Sequence, residues 1–378
     1  MKIAFIAWNS FQVLHFKPLL KALPNATLII EKKKKSIAIG QSILQDLNNN
    51  IAYIKQTQLY EKIEGVFDIL VTQTVFEQLY LFQHTKIAML QYGYAKEPYN
   101  YGAWRALADV NFVYGAYAYN KISYFSPAEI VGCPRYDNWY CEEFHQNAKA
   151  IFQNVINPLK KTILYAPSWG ELSSFSLYIN EIAKLSSTYN ILIKLHHNTI
   201  LLSDKITQYG KIYPNLHFFY EKDDLLSLLS VSDMVISDYS GAIFDAIFCK
   251  KILVLLSIPD IQNEKLDKFS LEISHRNILG TEVKQPSKLI TTVGKAFLEK
   301  KQVRQELYDQ LFSDTQCATE QVILGLENLM LGKYKLSQQQ QYVRQTVKEL
   351  YVEKMLYKKS KKNRLQYIKR VSKKIFQN

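Results

Sequence analysis

Apolar residues in this chain come in short, largely β-branched runs separated by segments with helical spacing. Ile3–Ala7 reads as a strand and Phe11–Leu23 as a helix; Ala26–Ile30 and Phe67–Val71 read as strands, Val75–Phe82 as a helix, and Ile87–Leu90 and Val110–Tyr114 as strands. Continuous apolar runs mark strands covered on both faces, so this alternation predicts a parallel sheet with helices on each side. Residues 141–160 read as a helical connector, after which the pattern restarts. Thr162–Tyr165, Ile191–Lys194 and Leu216–Phe218 are predicted strands, and Leu177–Ser186 and Asp223–Leu229 predicted helices. The strongest stretch closes the series: a strand at Met234–Ile236, a polar elbow at Ser237–Gly241, a helix from Ala242 and a strand at Ile252–Leu256. The expected fold class is α/β, with two Rossmann-like domains facing across a cleft, residues 1–145 and 146–333, followed by a basic amphipathic tail, residues 334–378.

Charge changes the picture mainly at the C-terminal end. The formal net charge is +13, but twelve Lys and Arg from Arg344 onward face only Glu349 and Glu353, so this segment carries 12 − 2 = +10. A nucleic-acid-binding fold would spread its basic residues over a folded face, so no nucleic-acid partner is expected. In the tail, Leu350, Val352, Leu356, Tyr357, Leu365, Tyr367, Ile368, Val371, Ile375 and Phe376 recur among the lysines at roughly helical spacing. Two readings stand: a basic amphipathic helix on an anionic membrane surface through residues 344–378, or a solvated tail. No apolar run is long enough to span a bilayer, and Met1–Ala7 reads as a buried strand instead of a signal peptide. Four scattered cysteines without metal-like spacing fit a reducing cytoplasm, and the expected location is cytoplasmic, peripheral at the inner face of the membrane. Hydrophobic content of 48% supports substantial cores, and Lys32–Lys35 reads as a solvated turn.

Candidate chemistry gathers at strand ends. The elbow Ser237, Asp238, Tyr239, Ser240, Gly241 offers hydroxyls and first-turn N–H groups that suit a phosphate or diphosphate, and Asp245 could accept from a ribose; the alternative is an ordinary N-cap. Ser168 lies between Pro167 and Gly170 after a strand, and His196 follows another, where it could stabilise charge on a leaving phosphate or merely bond backbone. Alternation turns His197 away from that cleft. In the first domain, His15 stands at the start of the first helix, as a base for an acceptor hydroxyl or as a satisfied core histidine. Tyr92 and Lys96 sit in a Tyr- and Gly-rich loop that reads as an acceptor loop, with Lys96 as a phosphate contact. Arg135 could meet phosphate or pair with Asp137. No metal-ligand pattern is present, so no metal is expected.

Tyr165-Ala-Pro-Ser-Trp169, Lys194-Leu-His196, Ser237-Asp-Tyr-Ser-Gly-Ala-Ile-Phe-Asp245 and Gly132-Cys-Pro-Arg-Tyr-Asp137 together resemble the CDP-glycerol glycerophosphotransferase family of teichoic-acid and capsule synthesis. The resemblance implies a GT-B-like fold and transfer of glycerol phosphate, or a related polyol phosphate, from a CDP-linked donor to a hydroxyl of a membrane-linked or saccharide acceptor, with release of CMP. The donor is a substrate and no cofactor is implied. It places CDP on the second domain, with Ser240 and Gly241 at the diphosphate, Asp245 near the ribose and His196 beside the reacting phosphate. Family members generally carry a Trp-His-Gly-Thr motif whose histidine is the proposed base; this chain has Gln91-Tyr92-Gly93-Tyr94 there, and Gly170 where an Arg is customary. The His-x-x-Pro at His15 is also similar to a motif of GT-B glycosyltransferases, so a nucleotide-sugar glycosyltransferase stands as the alternative.

Overall fold

The computed structural model describes residues 1–33, 39–196, 198–199, 208–220, 223–258, 267 and 269–375, with the side chains of 359 and of 362 onward left undescribed. Lys34, Lys35, His197 and the tail side chains from Leu365 to Phe376 therefore lie outside the described residues.

The expected two-domain α/β architecture is present. The first sheet comprises β1 (Ile3–Ala7), β2 (Thr27–Lys32), β3 (Asn50–Lys55), β4 (Ile69–Thr72), β5 (Lys86–Leu90), β6 (Val110–Val113) and β7 (Ala128–Ile130), in the order β3-β2-β1-β4-β5-β6-β7. The second comprises β8 (Thr162–Ala166), β9 (Asn190–Lys194), β10 (His217–Phe219), β11 (Met234–Ser237), β12 (Ile252–Leu256) and β13 (Thr281–Val283), in the order β10-β9-β8-β11-β12-β13. Every pairing is parallel. Central strands such as β1, β4, β8 and β11 are buried along their whole length, as two-sided helical cover requires. Strand order reverses between β1 and β4 and again between β8 and β11, the crevices where open α/β sheets bind ligands.

The differences from expectation concentrate at edges. β7 and β13 are three residues each and had no apolar run to announce them, because edge strands are half-exposed and need none; β3 carries the run Ile51-Ala52-Tyr53-Ile54 and is missing from the expected strands. Val75–Phe82 is not a full helix but a turn with a short 3₁₀ segment, Leu79–Leu81. Thr72 Oγ1 donates to the Thr74 carbonyl (2.7 Å), and Phe76, Leu79 and Phe82 are all buried, so local capping and a three-residue spacing favour the tighter turn.

Two boundaries are also corrected. The helix Ala318–Met330 does not belong to the second domain: Val322, Leu326 and Leu329 enter the same core as Val110 and Phe112 of the first sheet. The tail is not a free appendage from residue 334, because the helix Gln338–Ile375 docks its first turns on the first domain. Val347 is buried there, Arg344 pairs with Asp109 (3.0 Å), and Tyr351 stacks on Tyr80 (5.6 Å between centroids). Apolar faces of both segments find uncovered sheet and loop surface on the first domain, and burial overrides sequence order.

The domains meet through aromatic packing at the cleft floor. Tyr136 stacks on Phe248 (3.8 Å), Tyr94 meets Phe244 (5.3 Å) and Phe312 (5.7 Å), and the Tyr94 hydroxyl donates to the Leu311 carbonyl. Gly115 permits this approach, since a Cβ there would lie 2.4 Å from the Leu311 oxygen.

Candidate active site between the two domains

A cavity of about 370 Å³ lies in this cleft at both strand-order reversals. His15, Tyr92, Lys96 and Arg135 line it from one side, and His196, Ser240, Gly241 and Asp245 from the other. Ser168, Ser237, Asp238 and Tyr239 do not reach its surface; they build the elbow beneath it.

That elbow is organised by Asp238, which is wholly buried. Its Oδ1 accepts from the N–H groups of Ser168 (2.8 Å) and Tyr239 (2.7 Å), and its Oδ2 from the Ser174 N–H and hydroxyl (both 2.8 Å). Burial pushes its carboxyl above the ordinary range, and these donors pull it back. Ser237 Oγ donates to the Ala166 carbonyl (2.7 Å), tying β11 to β8. Arg276 closes the structure from behind, with Nη1 on the Asp238 carbonyl (2.8 Å) and its guanidinium over the Tyr239 ring (4.4 Å). Ser240 Oγ accepts from the Ala242 N–H (3.3 Å), capping the helix Ala242–Phe248, while the N–H groups of Ser240 and Gly241 donate to no described residue. With seven helical residues the dipole is small, so these two amides matter more than helix polarity.

His196 stacks on Trp169 (5.9 Å between centroids, 24°), and its Nδ1 accepts from the Asn198 N–H (3.2 Å). Its neutral form therefore carries the proton on Nε2.

Arg135 does not pair with Asp137. It donates to Asp224 (2.6 Å) and Asp245 (3.1 Å), while Asp137 accepts from the N–H groups of Ala318 (2.9 Å) and Thr319 (2.7 Å) and caps that helix. Burial works against the Arg135 charge, but the two carboxylates more than offset it and raise its pKa. Asp245 thus accepts from both Arg135 and Tyr136 (3.1 and 3.0 Å). This ion pair ties the two domains together.

On the other wall, His15 is buried with Nε2 unpartnered. Its Nδ1 lies 3.1 Å from the Tyr114 hydroxyl and 3.2 Å from Gln73 Nε2. Both neighbours also reach the Gln91 carbonyl, Tyr114 at 2.8 Å and Gln73 at 3.0 Å, and a carbonyl only accepts. With the Tyr114 proton on that carbonyl, a proton on Nδ1 satisfies the 3.1 Å Tyr114 contact at the expense of the 3.2 Å Gln73 amide contact, and this assignment leaves the buried Nε2 as a lone pair without a partner. Burial, and secondarily Arg135, holds the His15 pKa well below its usual value, so the imidazole is neutral at neutral pH. Tyr92 is different: burial pushes its hydroxyl up to about 12, which keeps it protonated. Tyr114, Gln73, Arg276 and Glu272 went unrecognised as site residues. Only the strand-end position of Tyr114 could have signalled any of them.

Lys96 has left-handed backbone (φ 59°), and its N–H donates to Glu272 Oε1 (2.7 Å) while the Glu97 N–H donates to Ser270 Oγ (2.8 Å). These bonds lock the first-domain loop onto the second domain. The Lys96 ammonium sits 6.0 Å from the Trp169 centroid, toward the second-domain wall, and burial lowers its pKa. Glu272 Oε2 has no partner, and burial pushes this carboxyl up to about 7. Among the described residues no group of three or more His, Cys, Asp or Glu could hold a metal ion.

Two Rossmann-like domains enclosing a cleft of this kind form a GT-B-like architecture. The chain belongs to the family described as CDP-Glycerol:Poly(glycerophosphate) glycerophosphotransferase, whose family model matches residues 109–319. A teichoic acid poly(glycerol phosphate) polymerase of Bacillus spizizenii is 30% identical over 141 residues, which is 35% of this chain and 35% of that protein. The match thus spans about a third of the curated relative's length. In fold, the chain is similar to a variant of the wall teichoic acid polymerase TagF (TM-score 0.65, 16% identity, covering 89% of this chain and 90% of that one). It is also similar to UDP-GlcNAc 2-epimerase of Methanocaldococcus jannaschii, solved with UDP-GlcNAc and UDP (TM-score 0.62, 14% identity, covering 86% and 99%).

Proposed function

We propose that this chain transfers glycerol phosphate, or a related polyol phosphate, from a CDP-linked donor to a hydroxyl of a membrane-linked or saccharide acceptor in teichoic-acid or capsule polymer synthesis. One observation carries the reading: the bare Nε2 of His15 and the open amides of Ser240 and Gly241 line opposite walls of one cavity. His15 takes the acceptor proton, the acceptor oxygen bonds to the phosphorus that carries the polyol, and the bond from that phosphorus to the bridging oxygen breaks, so CMP leaves. Charge developing on CMP is met by the Nε2–H of His196, the two amides and Lys96, an arrangement suited to phosphoryl transfer, where positioning and electrostatics supply most of the catalysis. Asp245 faces the ribose. The CDP-linked donor is a substrate, and this route calls for no resident cofactor or metal.

The test is incubation with CDP-glycerol and chromatographic identification of the nucleotide product. CMP is expected, at rates that fall sharply in His196→Ala and Ser240→Ala. Release of a nucleoside diphosphate from a nucleotide sugar, with CDP-glycerol inert, would establish the glycosyltransferase alternative instead.

No helix among the described residues is long and apolar enough to cross a membrane. We place the protein at the inner membrane face through the basic tail, beyond the turns docked on the first domain. A chain ending at residue 358 should lose binding to anionic vesicles while retaining turnover with a soluble acceptor.

A further inference from the structure

The acceptor wall has a composition that the transfer chemistry does not explain. Trp8, Phe11, Tyr92, Tyr99 and Trp104 all line the cavity from the first domain and keep part of their surface uncovered; Tyr99 is 78% exposed. Large aromatic surface left open around one cavity is unusual unless something covers it. Between the rings stand the neutral hydrogen-bonding groups Ser10, Thr74 and Asn100.

Charge completes the description. Among the described residues on this wall the Lys and Arg side chains are Lys96 and Arg135. Arg135 is taken up by Asp224 and Asp245, and Lys96 is turned toward Trp169 on the donor wall. Lys33, over the Trp8 ring (3.9 Å), is paired with Glu31 (3.7 Å). Asp223 lines the facing side and would repel an anion, while the Asp224 charge is met by Arg135. A polyol-phosphate chain bears one negative charge per unit and, among the described residues of this wall, would meet only cations already held by other groups: Lys96, Arg135, Lys33 and, over the Trp104 ring (4.7 Å), Arg105. A hexose ring suits the same wall: its C–H face packs on aromatic rings and its hydroxyls reach Thr74 and Asn100.

From this juxtaposition we infer that the first-domain wall is a subsite for a neutral saccharide ring, so that the acceptor end is a sugar hydroxyl and not the terminus of a polyol-phosphate chain. This rests on the proposed transferase reading and narrows its acceptor. The experiment measures binding by the full-length protein, without donor, of a neutral hexose trisaccharide and of a glycerol-phosphate trimer by titration calorimetry, then turnover of each with CDP-glycerol. The trisaccharide should bind roughly tenfold more tightly, Tyr99→Ala and Trp104→Ala should each weaken it about fivefold to tenfold, and Tyr99→Phe should restore it. Tyr99 is exposed, so its variants should fold normally. CDP-glycerol affinity should be unchanged in Tyr99→Ala. Tighter binding and faster CMP release with the glycerol-phosphate trimer would overturn the saccharide subsite and leave the transferase standing. Trisaccharide binding without CMP release from either acceptor would sustain the subsite and overturn the transferase. Binding of neither ligand would overturn the subsite.

Discussion

The two walls of the cleft are built on different principles. The donor wall is a tight backbone turn: Asp238 gathers four donors, Ser240 caps the next helix, and Arg276 clamps the elbow from behind. The acceptor wall is an assembly of side chains from separate strand ends. His15 follows β1, Gln73 follows β4, Gln91 and Tyr92 follow β5, and Tyr114 follows β6. A turn that organises its own backbone suits the invariant nucleotide end of a substrate. A wall drawn from four crossovers can be altered one loop at a time, which suits the end of a reaction that varies.

The sharpest way to break this contrast is His15→Ala. Loss of the proton acceptor should lower kcat by about 10²-fold to 10⁴-fold with little change in CDP-glycerol affinity, read by steady-state kinetics and calorimetry. An equal loss in donor affinity would show that His15 serves the donor instead. Next comes the ion pair joining the walls. Arg135→Ala leaves Asp224 and Asp245 without their partner and should destabilise the protein by about 3–5 kcal/mol in urea unfolding.

Glu272 adds a pH dependence that only the locked domain interface produces. Its folded pKa, about 7, lies above the ordinary 4.5, so the folded state holds a proton that the unfolded state has released between those values. Stability is therefore fully present below about pH 4.5 and declines as pH rises through about 7, by roughly 3 kcal/mol at most. In Glu272→Gln this decline should disappear, and the variant should be the more stable protein at pH 8 but not at pH 4.5.

The smallest effect tests the proton assignment. In Tyr114→Phe, His15 loses the acceptor for its Nδ1–H; turnover should fall about tenfold, and the nitrogen-15 shifts of His15 should move away from the Nδ1–H tautomer. An Nε2–H tautomer in the wild-type protein would contradict the base role directly.

The parallel sheets and the Ser237–Gly241 turn were legible because both are local. Unbroken apolar runs demand two-sided cover, and Ser237–Gly241 is a contiguous turn between a strand and a helix. The short edge strands β7 and β13 were not legible, since half-exposed strands need no apolar run, whereas β3, with Ile51-Ala52-Tyr53-Ile54, was legible and missed. Arg135 illustrates the limit well. Its neighbour Asp137 was the natural partner by spacing, yet tertiary packing sends Asp137 to cap the helix Ala318–Met330 and gives Arg135 to two carboxylates about ninety or more residues away. The same holds for the docked tail, where Val347 and Arg344 join the first domain although their charge-rich surroundings suggest a free appendage.

The sequence alone determined the fold class and the strand–turn–helix course of Ser237–Gly241, because periodicity and turn residues act over a few positions. Only the tertiary structure decided that His15 keeps a bare nitrogen backed by Tyr114, that the elbow leans on Arg276, and that the described first-domain wall is aromatic with its cations held by other groups. Those properties arise where strand ends distant in sequence converge, and no local pattern encodes which side chains will meet there.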